Sequence, residues 1–321
     1  MFVWFLFFMA FAAIVVSPFI GIVNVTLSQV FQPEGGIDQK IFWSIRAPRV
    51  AVGFIAGAMF ALCGMVFQAM FRNPLVAPST LGVSIGASLG AAVYIWLGMT
   101  FHFIGISGIT AFAFAGALLA IFIVWKLARV DYGTSTAKML LAGIAVSFFF
   151  GSLIMLLQFL SDISQSFRIT RWLMGGLFVY GWEPLQQLLP FAVIGTLVIW
   201  YFTHELNLLT TGEEIAVSRG VDVQRLNKIL FIVVSFIIGG VVSVCGPISF
   251  IGIIAPHMAR LLIGSDHRYL MPATALVGGT LLLVCDTLAR TLFAPAEIPV
   301  GVITAILGGP FFLWLLQKRF Q

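Results

Sequence analysis

Apolar stretches of bilayer-spanning length recur along the whole chain, separated by short polar segments. A run of about 20 apolar residues is what a helix needs to cross a bilayer, so the pattern predicts a polytopic helical membrane protein. Ten spans are predicted, at about residues 1–23, 50–71, 81–99, 103–127, 139–160, 185–203, 229–247, 249–264, 271–293 and 300–317. The eighth is short and contains Pro256, so it is expected to be broken or tilted. The first 27 residues carry no Lys or Arg and no small-residue cleavage site, and read as a retained span, not a signal peptide. One polar stretch stands apart, from Thr203 to Lys228. Three of the twelve carboxylates, Glu205, Glu213 and Glu214, fall within ten residues of it. A compact charged element on a chain otherwise built for lipid suits contact with a soluble partner.

Composition narrows the class. The chain has 321 residues, 60% hydrophobic and 9% charged, with a mean hydropathy of +1.09. No soluble globular domain has that balance, and no room is left for one. The whole chain, 1–321, therefore reads as a single transmembrane domain with a loop at about 203–228. The net charge of +5 is scattered over short loops and is no nucleic-acid signal. Cys63, Cys245 and Cys285 lie in apolar runs and have neither disulfide nor metal spacing.

Basic residues set the orientation. One face would carry Arg72, Lys126, Arg129, Lys138, Arg219, Arg225, Lys228, Arg260, Arg268, Lys318 and Arg319. The other would carry Lys40, Arg46, Arg49, Arg168, Arg171 and Arg290. The excess puts the 203–228 loop and both termini in the cytoplasm. Outer segments 24–49 and 161–184 are long enough for short interfacial helices. Gly53, Gly57 and Gly64, with Gly82, Gly86 and Gly90, allow close helix approach, which ordinary packing of a bundle explains.

Catalytic chemistry is absent from the sequence: there is no HExxH, no GxxxxGK[ST] phosphate loop and no paired intramembrane carboxylates, and the four histidines lack ligand spacing. Asp286 is the one acid placed within a span, and Arg290 lies one turn on, where it can neutralise it. An ion-coupled secondary transporter usually needs more buried polar groups, so an external motor fits better. That rival class would show uptake without an ATPase.

A set of motifs then becomes recognisable in order and spacing. Arg46-Ala-Pro-Arg49 opens the second span, followed by Gly64-Met-Val-Phe-Gln68, Phe71-Arg-Asn-Pro-Leu-Val-Ala-Pro78 and Leu81-Gly-Val-Ser-Ile-Gly-Ala87. Leu141-Ala-Gly-Ile-Ala145, Trp172-Leu-Met-Gly-Gly176 and the stretch from Gly246 to Arg260 come next. Asp286-Thr-Leu-Ala-Arg290, Glu297-Ile-Pro-Val-Gly301 and Gly308-Gly-Pro-Phe311 close the chain. Over essentially its whole length the sequence resembles the FecCD family of ABC importer permeases, which carry ferric siderophores, haem and vitamin B12.

The resemblance implies an all-α fold of about ten transmembrane helices, the type II ABC importer permease fold. It implies a second permease subunit, identical or paralogous, and two cytoplasmic ATPase subunits that hold ATP and magnesium. It also implies a periplasmic or lipid-anchored binding protein and a bacterial inner-membrane location. This chain itself would bind no cofactor, no metal and no nucleic acid. The cargo expected is a ferric siderophore, with vitamin B12 or haem as the alternative. The family's coupling loop maps onto Gly212, Glu213, Glu214, Ala216 and Gly220, with Thr211 and Arg219 where the family usually has Leu. In cobalamin-transporting members, arginines matching Arg46, Arg49 and Arg290 meet acids on the binding protein. In the same members, positions matching Asn73 and Leu75, and Thr136 and Ala137, narrow the inner mouth, with Ala137 where a Ser stands. Pro74 and Pro78 independently require irregular backbone over 72–78. His257 and Arg260 are expected to cap and fix a loop.

Overall fold

The computed structural model describes residues 2–21, 23, 25–30, 36–103, 106–130, 133–134 and 136–319. The α-helices, in chain order, are α1 Phe2–Val16, α2 Leu27–Val30, α3 Ile37–Ile41, α4 Ala47–Met70, α5 Val83–Trp96, α6 Gly108–Leu127, α7 Thr136–Leu160 and α8 Ile163–Leu173. They continue with α9 Glu183–Tyr201, α10 Thr203–Thr211, α11 Glu213–Ser218, α12 Val223–Cys245, α13 Ile251–Ile263, α14 His267–Thr291 and α15 Val300–Arg319. Two antiparallel hairpins of two-residue strands, within 102–107 and 129–134, precede α6 and α7. Among the described residues, seven helical stretches are long and apolar enough to cross a membrane, while α5, α13 and the Val300–Leu315 part of α15 are apolar but shorter. These ten occupy the ten predicted span positions. Short helices also form in the segments 24–49 and 161–184, α2 and α3 in the first and α8 in the second. A reciprocal cap starts α8: Gln165 N donates to Asp162 Oδ1 at 2.7 Å, and Asp162 N donates to Gln165 Oε1 at 3.3 Å.

The second span begins earlier than the apolar count suggests. α3 runs through a π-helical turn, Phe42–Arg46, into α4, so one helical rod extends from Ile37 to Met70. Pro48 cannot donate to the carbonyl four residues upstream. That carbonyl, Ser44 O, instead accepts from Gly181 N at 2.7 Å. Pro256 inside α13 frees Gly252 O in the same way, and Gln68 Nε2 on α4 supplies the donor at 3.2 Å. Pro48 and Pro256 thus each free an acceptor that a donor distant in sequence meets.

α4 is the axis of the bundle. In its rod the most apolar window is 83% buried, against 67% for α12, 61% for α14, and 22–33% for α1, α6, α7 and α9. α4, α12 and α14 therefore form the inside, and the others present apolar side chains outward. α4 meets its neighbours backbone to backbone. A Cβ on Gly57 would collide with Gly278 O of α14, and one on Gly64 with Gly252 O of α13. Small residues at these crossings let dispersion contacts replace a hydrophobic drive that lipid does not provide. α13 has 13 residues, about 20 Å of helix at 1.5 Å per residue, too short to span. Irregular backbone from Gly246 to Phe250 completes its path, with Phe250 at φ +69°. This backbone lies against α15 and borders a cavity of about 500 Å³ lined by Pro247, Ser249, Gly301 and Ile306. Non-helical backbone at membrane depth is tolerated in just such a setting.

Candidate functional sites

Three regions carry the charged and irregular elements. The first is the arginine cluster. Arg49 donates from Nε and Nη2 to Asp286 Oδ1 at 3.1 and 2.9 Å, and from Nη1 to Glu297 Oε2 at 2.9 Å. Arg290 Nε lies 3.1 Å from Asp286 Oδ2, so one carboxylate serves two guanidiniums. Arg290 also donates to Ile20 O at 3.2 Å and to Ser17 Oγ at 3.1 Å. Arg46 donates to Pro18 O at 2.9 Å and to Val23 O. The cluster therefore joins the end of α1, the start of α4 and the end of α14. Arg46, Arg49 and Arg290 are only 5–9% exposed, and Asp286 is fully buried. The side chain of Glu297 is 40% exposed and is the solvent-facing member. Sequence adjacency gives the Asp286–Arg290 pair, but Arg49 lies 237 residues from Asp286 and only the fold pairs them.

The second region is the irregular loop after α4. Asn73 Oδ1 accepts from Leu75 N at 3.1 Å, an Asx turn that bends the chain between Pro74 and α4. Asn73 and Leu75 are half-buried, and Arg72 holds φ +47°. The turn Pro78–Leu81 packs on α7, where a Cβ at Gly143 would lie 2.6 Å from Leu81 Cα. Thr136 and Ala137 are the first two residues of α7, the former half-buried and the latter exposed. The turn that follows the first expected gate segment thus packs on the helix that begins with the second. Arg260 Nη2 donates to Gln68 Oε1 at 3.2 Å, fixing the end of α13 to the end of α4. His257 packs edge-on against Phe311, with centroids 5.8 Å apart.

The third region is the polar stretch between α9 and α12. It folds as two short helices, α10 and α11, with a sharp bend at Gly212 (φ +138°, ψ +146°) and another at Gly220 (φ +86°). Only glycine takes such angles cheaply. Ala216 N donates to Gly212 O, and Val221 N returns to Ala216 O, each at 3.0 Å, so α11 is a closed, compact knob. Glu213 and Glu214 project from it into solvent. Ile215 and Val217, 49% and 58% exposed, add an apolar face that the sequence motif alone does not single out. Ala216 points the other way and is fully buried in the bundle. Asp222 caps α12 by accepting from Arg225 N at 3.0 Å.

Among the described residues, no group of three or more His, Cys, Asp or Glu side chains is placed to hold a metal ion. The three cysteines are buried and unpaired with one another.

Residues 8–318 match the model of the FecCD transport family. The chain is 42% identical over 285 residues to the cobalamin import system permease protein BtuC of Halobacterium salinarum, covering 88% of this chain and 74% of that one. It is 40% identical over 291 residues to the hemin transport system permease protein HmuU of Yersinia pestis, covering 87% and 84%. A solved structure, described as an inward-facing conformation of an ABC transporter of metal-chelate type, superposes over 99% of both chains. Its TM-score is 0.88 and its sequence identity 30%.

Proposed function

This chain belongs to the FecCD transport family and is an ABC importer permease, and from that premise we propose that it admits a large metal chelate, a ferric siderophore in the first reading. α11 carries the proposal. It is a rigid two-glycine knob with two exposed carboxylates and two exposed apolar side chains, set on a chain that otherwise faces lipid. Two ATPase subunits would grip two such knobs, one from each permease subunit. ATP binding would draw the knobs together and turn the path outward, and hydrolysis would reset it. Both termini and α11 would then lie in the cytoplasm, and the arginine cluster would face the binding protein. Glu297, its exposed carboxylate, would be the member that yields to an incoming acid. A tetrapyrrole cargo is the second reading, favoured by the cobalamin and hemin named for the two relatives above.

Proteoliposomes holding the assembled transporter and its binding protein should accumulate a ferric hydroxamate or ferric citrate only with ATP. Uptake of cobalamin or haemin instead would select the second reading. Accumulation driven by an ion gradient with no ATPase present would overturn both.

The gate is placed in this reading at Asn73 and Leu75 with Thr136 and Ala137; in its support, the turn Pro78–Leu81 that follows the irregular loop packs on α7, the helix that begins with Thr136 and Ala137. In a background with Cys63, Cys245 and Cys285 replaced by Ser, Asn73→Cys and Thr136→Cys should each cross-link to the facing permease subunit carrying the same substitution. Cross-linking should depend on nucleotide and should block uptake. No cross-link at either position in any nucleotide state would move the gate elsewhere.

A further inference from the structure

We propose that Asn207 is the positioning residue through which the coupling element moves α14. The inference rests on the coupling role proposed above for α11.

α11 reaches the bundle chiefly through α10, and α10 makes two kinds of contact there. Leu206 and Leu209 are buried, at 0% and 2% exposed. Such apolar contact is non-directional and tolerates sliding. The contact of Asn207, which lies between these leucines in sequence, is directional. Its Oδ1 accepts from His267 N at 2.8 Å and stands 2.7 Å from His267 Nδ1. Its Nδ2 donates to Asp266 Oδ1 at 2.8 Å.

These contacts fix their own chemistry. The Asp266 carboxylate can only accept, so the amide nitrogen of Asn207 must face it. The amide oxygen then faces His267, so Nδ1 carries the proton. Asp266 is meanwhile the N-cap of α14, accepting from Arg268 N at 3.0 Å. That N–H and the Asn207 amide hold the Asp266 carboxyl below the usual carboxylate range. One side chain on α10 thus grips the first turn of α14 at three points.

Among the described residues, no other side chain of α10 or α11 makes a comparable set of polar bonds to a helix distant in sequence. Arg72 and Glu213 approach to 3.7 Å, but their side chains are 50% and 57% exposed. An exposed pair of that kind contributes little. α14 itself is a rod of 25 residues, about 37 Å at 1.5 Å per residue. Its far end carries Asp286, which binds Arg49 and also pairs with Arg290 one turn on. A displacement of α10 is therefore delivered to the start of α14 and carried toward the arginine cluster at its end.

The test is an exchange of partners. Asn207→Asp sets two carboxylates against each other. The double variant Asn207→Asp/Asp266→Asn restores opposite polarity at the link: the new carboxylate still accepts from His267 and the amide nitrogen at position 266 donates to it, while that amide's oxygen turns to Arg268 N, the bond that Asp266 Oδ1 makes in the wild type. Uptake per ATP hydrolysed is measured on assembled complexes, with whichever of ferric hydroxamate, ferric citrate, cobalamin or haemin the wild type accumulates. A loss of stability lowers the amount of complex but leaves that ratio alone. Asn207→Asp should lower the ratio by about tenfold, the scale of a typical coupling free energy, and the double variant should recover it. A wild-type ratio in Asn207→Asp, or a double variant as low as the single one, overturns the proposal. If Asn207→Asp does not assemble, Asn207→Ser takes its place, since it removes the bond to Asp266; a wild-type ratio there overturns the proposal equally. A wild-type complex that accumulates no chelate under ATP would instead count against the parent reading.

Discussion

Asp286→Asn is expected to reach the membrane in a small fraction of the wild-type amount, and to melt far earlier in detergent. Asp286 is fully buried and faces two guanidiniums. Without its charge, Arg49 keeps Glu297 but Arg290 keeps only neutral oxygens. Removing one partner of a buried ion pair costs roughly 3–5 kcal/mol, because the remaining charge is stranded away from water. Glu297→Gln serves as the comparison. Glu297 is 40% exposed, so water can replace what it supplied and the loss should be slight. Fluorescence-detected size-exclusion chromatography and a thermal melt of the solubilised protein would read both. Association of a binding protein with the surviving Asp286→Asn complex should change less than its yield does. A melting temperature equal to wild type would show that the arginines are satisfied without Asp286.

Ala216→Trp is expected to abolish uptake while the transmembrane bundle stays folded. Ala216 is fully buried where α11 meets the bundle, with Gly212 and Val221 bonded to its backbone. An indole cannot fit there, and forcing bulk into a packed site typically costs 1–3 kcal/mol. The least costly response is for α11, a helix of six residues, to swing out of its seat. Glu213, Glu214, Ile215 and Val217 would then lose their fixed presentation. The expected signature is a complex that still extracts intact and hydrolyses ATP but accumulates nothing. Normal accumulation by the variant would remove the coupling role from α11. Thr211 and Arg219, which stand where the family usually has Leu, are both exposed, so they alter the offered surface without touching the seat.

Much of this architecture was legible in the sequence, because a bilayer imposes a single length scale. All ten apolar stretches became helices, but α13 runs unbroken through Pro256, and the irregular backbone of that span lies before it, at Gly246–Phe250. The boundaries were less legible. Asp38, Gln39 and Lys40 ended the apolar count before the second span, yet they lie in a helix continuous with it. Hydropathy registers polarity, and a helix that emerges from lipid into water keeps its hydrogen bonds while changing its polarity. The fourth span starts at Gly108, later than the apolar run, because the residues before it form a hairpin.

The sites divide along the same line. Asp286 and Arg290 could be paired from sequence because four residues are one helical turn. Arg46, Arg49 and Arg290 could be seen as an outer group, but their burial could not, since it depends on where α1, α4 and α14 end relative to one another. The face of α11 was beyond reach, because six residues give too few repeats to establish a period. Asn207 gave no local signal, and Gln68 stood out only as the end of a motif, without its role. Each is an amide whose partners lie far along the chain, 59 and 60 residues away for Asn207 and 184 for Gln68.

The glycine seams along α4 have a consequence for any shape change. At Gly57 and Gly64 the facing surface is main chain, on α14 and α13 respectively. A leucine-lined crossing can slip by exchanging rotamers, each exchange landing in another staggered well. A seam of main chain against main chain has no rotamers to exchange and so has one register. It works as a keyway, transmitting rotation and translation without creep. Whatever rearrangement this protein undergoes, α4, α13 and α14 turn as one body, and the yielding is left to the helices whose contacts are made by side chains.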